Sequence, residues 1–237
     1  MLRVNFNILA TFKLITTDNE IDVMDVLIIG ATGRTGRLIM RLALEEGHQV
    51  TAFVRSAEKL NRPLTGVRIV QGDATDAMQI HNVMSQYKFD AVVIAVGAET
   101  FKCSNVREQT TKNVVDALEN KSPSTRLWVV SSAGSNESME QLGFFSRTFI
   151  KNILKGHISD HSKQEIIVQK SMLPYTIVRP TGLRGTGMVN DPSYIVVTKE
   201  MIPTDNVKRG EIAHFVVCNL FNEQYIGKAV VITSKPK

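Results

Sequence analysis

The sequence predicts an α/β fold, a doubly wound parallel sheet in a single domain, and three observations carry that reading. Val26 to Ile29 is a continuous apolar run, the pattern of a parallel strand buried on both faces. Gly30, Gly33 and Gly36 follow it at three-residue spacing. Apolar strands then alternate with helical stretches to the end of the chain.

After the glycines, residues 37–46 read as a helix that stops at Gly47, and residues 49–54 as a second strand. Together they make a β-α-β unit of about thirty residues, the size such a crossover needs. Val67 to Gln71 is the third strand, and Gly72-Asp73-Ala74-Thr75-Asp76 leads into a helix over 76–86. The fourth strand, Asp90 to Val96, ends at Gly97; a helix over 105–120 and a strand over 126–131 follow. Residues 132–157 read as irregular or helical. A helix over 162–172 precedes the strand 175–179, which Pro180 stops. The tail holds a strand near 194–198, a helix near 210–222 and a last strand over 228–233, a small C-terminal region expected on the acceptor side.

Composition narrows the function classes. In 237 residues, 43% are hydrophobic and 22% charged, ordinary values for a globular protein. No apolar run approaches the ~18–20 residues of a membrane span, so no membrane partner is expected. The net charge of +5 is scattered and aromatics are sparse at 6%, which argues against a nucleic-acid surface. Cys103 and Cys218 stand far apart, giving no disulfide framework and a reducing cytoplasm as the expected location. His157 and His161 have helical spacing but lack a metalloprotease motif, so no metal is expected. Residues 1–23 lack the apolar block and cleavage site of a secretory signal. They read as an extension before a core that starts at Met24 and runs to 237.

The strand–glycine–helix run carries the chemistry. Gly30 suits the tight turn, Gly33 the close approach of backbone N–H groups to a pyrophosphate, and Gly36 the packing of helix on strand. Thr32, Arg34 and Thr35 lie in the same loop, and the helix start offers its positive end to the phosphates. A dinucleotide lacking the 2′-phosphate needs an acid near the end of the second strand to hold the ribose. Here that strand ends Phe53-Val54-Arg55, with Arg34 and Lys59 nearby, which predicts NADP instead. Asp73 reads as either an adenine acceptor or a helix cap, and small Ala95 and Gly97 leave room at the fourth strand's end.

Several blocks together resemble a known family. Gly-Ala-Thr-Gly-Arg-Thr-Gly (30–36), Gly-His-Gln-Val-Thr-Ala-Phe-Val-Arg (47–55), Gly-Asp-Ala-Thr-Asp (72–76), Val-Ser-Ser-Ala-Gly (130–134) and Leu-Pro-Tyr-Thr-Ile-Val-Arg-Pro-Thr (173–181) are similar to the atypical short-chain dehydrogenase/reductases. Within these the chain resembles the NAD(P)-binding group of biliverdin reductase B (the flavin reductase) and the NmrA-like proteins. The resemblance implies a Rossmann fold with Ala74, Pro180 and Lys163 beside the cofactor. It also implies Ser131 or Ser132 orienting the acceptor, and Lys163 holding the nicotinamide ribose. The family's Tyr-x-x-x-Lys is absent, because Ser159 stands four residues before Lys163. A lysine-tuned phenol is therefore missing, and the expected reaction is hydride transfer from NADPH to a planar small-molecule acceptor whose proton comes from solvent. Thr181-Gly182 stands where the biliverdin reductase B pattern has a histidine, so a flavin or quinone fits better than a bilin. The alternatives are an NmrA-like NADP sensor acting on a protein partner without turnover, and a nucleotide-sugar epimerase or dehydratase.

Overall fold

The computed structural model describes residues 23–60, 65–97, 105–144, 147–148, 154–203 and 206–235. Residues 1–22 and Cys103 lie outside them. Strands β1 (Asp25–Ile29), β2 (Gln49–Val54), β3 (Val67–Gln71), β4 (Ala91–Ile94), β5 (Arg126–Val130) and β6 (Tyr175–Pro180) form most of the parallel part of an eight-stranded sheet. Two two-residue strands, β7 (Leu183–Arg184) and β9 (Val207–Lys208), pair apart from it. With β8 (Tyr194–Val197) and β10 (Lys228–Ser234), the large sheet runs β3-β2-β1-β4-β5-β6-β10-β8. Only β8 runs antiparallel, against β10. This is the doubly wound, Rossmann-like single domain that the sequence predicts.

Helices α1 (Arg34–Glu45), α2 (Ala77–Gln86), α3 (Val106–Lys121), α4 (Lys155–Lys170) and α5 (Arg209–Cys218) cover both faces. The alternation within each strand sorts the core. Val26 and Ile28 of β1 pack toward α1 and α5, whereas Leu27 and Ile29 pack toward α2, α3 and α4. Trp128, fully buried in β5, meets Phe215 of α5 edge-on, with ring centroids 6.2 Å apart. Each such large side chain contributes roughly 1.5–3 kcal/mol by leaving water. The two halves of the sheet part between β1 and β4, so the crevice opens at the carboxyl ends of those strands.

Several boundaries differ from the sequence reading, each for a local reason. Helix α1 begins at Arg34, not at residue 37, because Gly33 itself serves as the N-cap with an extended backbone. Strand β4 ends at Ile94, leaving Ala95 to Gly97 as coil beside the glycine turn. Helix α4 starts seven residues before the expected 162, because Ile158, Asp160 and His161 are buried and hold the early turns in place. The last helix starts at Arg209 and stops at Cys218, four residues short of the expected 222.

Candidate functional site

The glycine turn is the most constrained backbone in the site. Gly30 has φ +90°, and a Cβ there would lie 2.6 Å from the Ala95 carbonyl oxygen. At Gly36 a Cβ would run into the Gly30 carbonyl oxygen, and at Gly33 it would come within 3.1 Å of that same atom. The Gly33 N–H donates to Gly30 at 2.9 Å and closes the turn. No side chain caps α1, and its first turn holds no acid. Its leading N–H groups therefore face outward for an anion, as a pyrophosphate requires. Helix α2 differs, because Asp76 accepts from the N–H groups of Met78 and Gln79. The start of α3 is taken by Asp160 of α4, which accepts from the Glu108 N–H at 3.1 Å and the Arg107 guanidinium at 3.1 Å.

Exposed cations stand at the start of α1 and just after β2. Arg34 occupies the exposed first position of α1, and exposed Arg55 follows β2 directly. Arg37 donates from Nη2 to the Lys59 carbonyl at 2.7 Å, holding the short 3-10 turn at residues 57–60 against α1. Thr32 and Thr35 are half-buried beside them. Arg37 was missed in the sequence; its signal is the helical spacing from Arg34 on one exposed side of α1.

On the adenine side, Asp73 binds locally. Its Oδ1 accepts from the Thr75 N–H at 2.9 Å and the Thr75 hydroxyl at 2.8 Å, and the helix cap falls to Asp76. The Ala74 carbonyl accepts from buried Asn113 at 3.0 Å, which ties this loop to α3. Pro180 is buried at the end of β6, and its carbonyl accepts from the Ala133 N–H at 2.9 Å.

The two serines part company. Ser131 is 4% exposed and donates its hydroxyl to Glu165 at 2.5 Å, so it does not stand open to an acceptor as expected. Burial drives this arrangement. Glu165, fully buried on α4, also receives Nε and Nη2 of Arg179 at 3.0 and 2.7 Å and the Asn136 amide at 2.7 Å. Arg179 closes the group onto Glu137 at 2.7 Å. Burial alone would lower the Arg179 pKa, but the two carboxylates prevail and raise it. Ser132, half-buried, donates to the Ala133 carbonyl at 3.1 Å and is the hydroxyl nearer solvent. Lys163 makes an ion pair with Glu108 at 3.0 Å, with its side chain 56% exposed. Four residues before it, Ser159 is exposed on α4. Beyond β6, a cleft of about 460 Å³ opens between residues 185–191 and Lys208. Among the described residues no group of acids, histidines and cysteines is arranged to hold a metal, and no helix is long and apolar enough to cross a membrane.

A family profile described as NAD(P)H-binding matches residues 30–223, from the glycine turn to beyond α5. The chain belongs to this NAD(P)H-binding family. It is 26% identical over 228 residues to a chloroplastic protein of Arabidopsis thaliana, covering 92% of this chain and 79% of that one. Its fold is similar to that of ChuY, an anaerobilin reductase from Escherichia coli O157:H7, with TM-score 0.73, 22% identity, and 90% and 100% of the two chains covered. A Streptococcus pneumoniae protein put forward as an NADH-flavin reductase superposes with TM-score 0.70 at 21% identity over the same shares.

Proposed function

We propose that the protein is an NADPH-dependent reductase that passes hydride to a planar acceptor of the flavin or quinone class. The observation that carries the cofactor choice is the end of β2, where exposed Arg55 stands in place of an acid, with exposed Arg34 as the first residue of α1. A guanidinium on the 2′-phosphate makes a charge-assisted bond that the non-phosphorylated cofactor cannot offer. The cofactor, when bound, supplies the hydride. Gly30, Gly33 and Gly36 let the backbone approach its pyrophosphate, Ala74 and Asp73 border the adenine, and Ala95, Gly97 and Pro180 border the crevice. Ser132 orients the acceptor, and Lys163 leaves Glu108 for the nicotinamide ribose. Exchange is cheap, because an exposed ion pair is worth no more than ~1 kcal/mol. With Ser159 in the phenol's place, the proton comes from solvent, and that restricts the reaction to acceptors activated by their own conjugation. The anaerobilin reductase and the protein put forward as an NADH-flavin reductase, both of the same fold, support a planar acceptor. A reducing cytoplasm, with Cys218 as a free thiol, completes the reading.

Two contacts favour a second reading. The Ser131–Glu165 bond and the Lys163–Glu108 pair engage the positions that a dehydrogenase uses for chemistry, as a sensor that binds NADP and signals to a protein partner would allow. Titration calorimetry with both cofactors and an NADPH-oxidation assay over flavins, quinones and bilins separate the two. A reductase binds NADPH at least ~10-fold more tightly than NADH, the equivalent of one charge-assisted contact, and turns over a planar acceptor. Equal affinities would overturn the cofactor choice; tight binding with no turnover on any acceptor would leave the sensor.

A further inference from the structure

Arg209 is the first residue of α5, the helix that packs alongside α1 on the same face of the sheet. Helix α5 covers β5, β6 and β10 through Ile212, Phe215 and Val216, so it approaches the start of α1 from the side opposite β2 and Arg55. Arg34 and Arg209 thus stand at the heads of neighbouring helices, near enough that the charge of Arg34 adds to burial in lowering the Arg209 pKa. Two like charges gain nothing from one another. Among the described residues, neither forms an ion pair with a carboxylate. The one acid at the head of α5, Glu211, is buried and accepts from the N–H groups of Lys208 and Ser193 at 3.0 and 3.1 Å.

Arg209 is also held in position. Its Nη1 donates to the Gly185 carbonyl at 2.9 Å, and the next residue, Gly210, has no Cβ because one would lie 2.6 Å from the Gly187 carbonyl oxygen. The segment at 185–189 therefore seats directly on the head of α5. A guanidinium has five N–H donors in a planar fork, and the bond to Gly185 uses one.

We propose that Arg209 is a further cofactor-binding residue, donating to the pyrophosphate from the side opposite Arg55. The inference rests on the reading of the α1 start as the pyrophosphate site. It assigns the arginines different tasks: Arg55 reads the 2′-phosphate, whereas Arg209 holds a group common to both nicotinamide dinucleotides. It also joins the cofactor to the segment beyond β6 that borders the cleft, through the Gly185 carbonyl.

The test is calorimetric titration of parent, Arg209→Gln, Arg209→Lys and Arg55→Gln with NADP+ and NAD+, together with melting temperatures. Arg209→Gln is expected to weaken both cofactors by the same factor, about tenfold or more, with Arg209→Lys recovering part of the loss. Arg55→Gln is expected to weaken NADP+ alone. Unchanged affinity in a folded Arg209→Gln protein, or a loss confined to NADP+, overturns the proposal. Should Arg209→Gln not fold, Arg209→Lys decides alone: an affinity for both cofactors equal to the parent's would overturn it, and a shared loss would support it. A parent that binds neither dinucleotide sinks the underlying reading instead, so the two failures are distinguishable.

Discussion

Replacing Glu165 by alanine tests the buried network behind the end of β5. The change leaves Arg179, 3% exposed, with only Glu137, whose own side chain is 62% exposed. It also removes the acceptor for the Ser131 hydroxyl and for the Asn136 amide. Breaking a buried ion pair by deleting one partner costs about 3–5 kcal/mol, because the remaining charge stays buried and under-solvated. Glu137 keeps part of the compensation, so the expected loss is near ~3 kcal/mol. At roughly 2–4 °C per kcal/mol for a domain of this size, the melting temperature falls by about 6–12 °C. Urea denaturation at pH 7 measures the free energy directly. The double variant Glu165→Met with Arg179→Met, which removes both charges and keeps apolar volume, should cost less than Glu165→Ala alone. A loss below about 1 kcal/mol in Glu165→Ala, or a double variant worse than the single one, would refute the electrostatic account.

Gly36→Ala sets a methyl group against the Gly30 carbonyl oxygen and 3.2 Å from the Ala31 Cα, both backbone atoms that cannot swing aside. Calorimetry should show at least ~10-fold weaker dinucleotide binding, with about 1–3 kcal/mol lost from stability; parent-like values in both would be inconsistent with that contact. His161 is buried, and burial, then the charges of Arg107 and His157, lower its pKa well below the ordinary 6.5. The fold therefore holds it neutral beside Arg107, His157 and Asp160. Its contribution is fully present above pH ~6.5 and is lost as pH falls and the unfolded chain takes up the proton, by at most ~1.4 kcal/mol per pH unit. Denaturation midpoints between pH 7.5 and 5.5 should show a shallower acid limb for His161→Gln than for the parent; parallel limbs would contradict the assignment. Lys163→Ala should shift stability by less than ~1 kcal/mol while weakening NADPH about tenfold, and Glu108→Gln should strengthen NADPH by freeing the lysine. NADPH titration of both variants checks the pair, and two parent-like affinities would make Lys163 a surface residue.

The parallel strands were legible because strands buried on both faces write themselves as apolar runs, as at Val26–Ile29 and Ala91–Ile94. The glycine turn was legible because Gly30 and Gly36 meet backbone at distances that forbid a side chain. What escaped was polar and long-range. Glu165 and Arg179 lie fourteen residues apart, and nothing local shows that α4 and β6 bring them together in the core. Asp160 reads as an ordinary helical acid, yet it binds Arg107 across fifty-three residues and so lengthens α4 at its start. The strands β7 and β9 are two residues each, too short for any alternation to register. Arg209 carries no motif; only the packing of α5 on α1 brings it near Arg34.

The bond between Ser131 and Glu165 bears on attempts to install alcohol chemistry in this protein. Installing a tyrosine at Ser159 would restore the family's spacing to Lys163 on the exposed side of α4. Alcohol chemistry also asks for a free hydroxyl beside that phenol, and here the hydroxyl at the end of β5 is held by a carboxylate that Arg179 anchors. A redesign would have to begin behind the active face, by exchanging Glu165 and Arg179 together for an apolar pair, before the new tyrosine had a serine to work with.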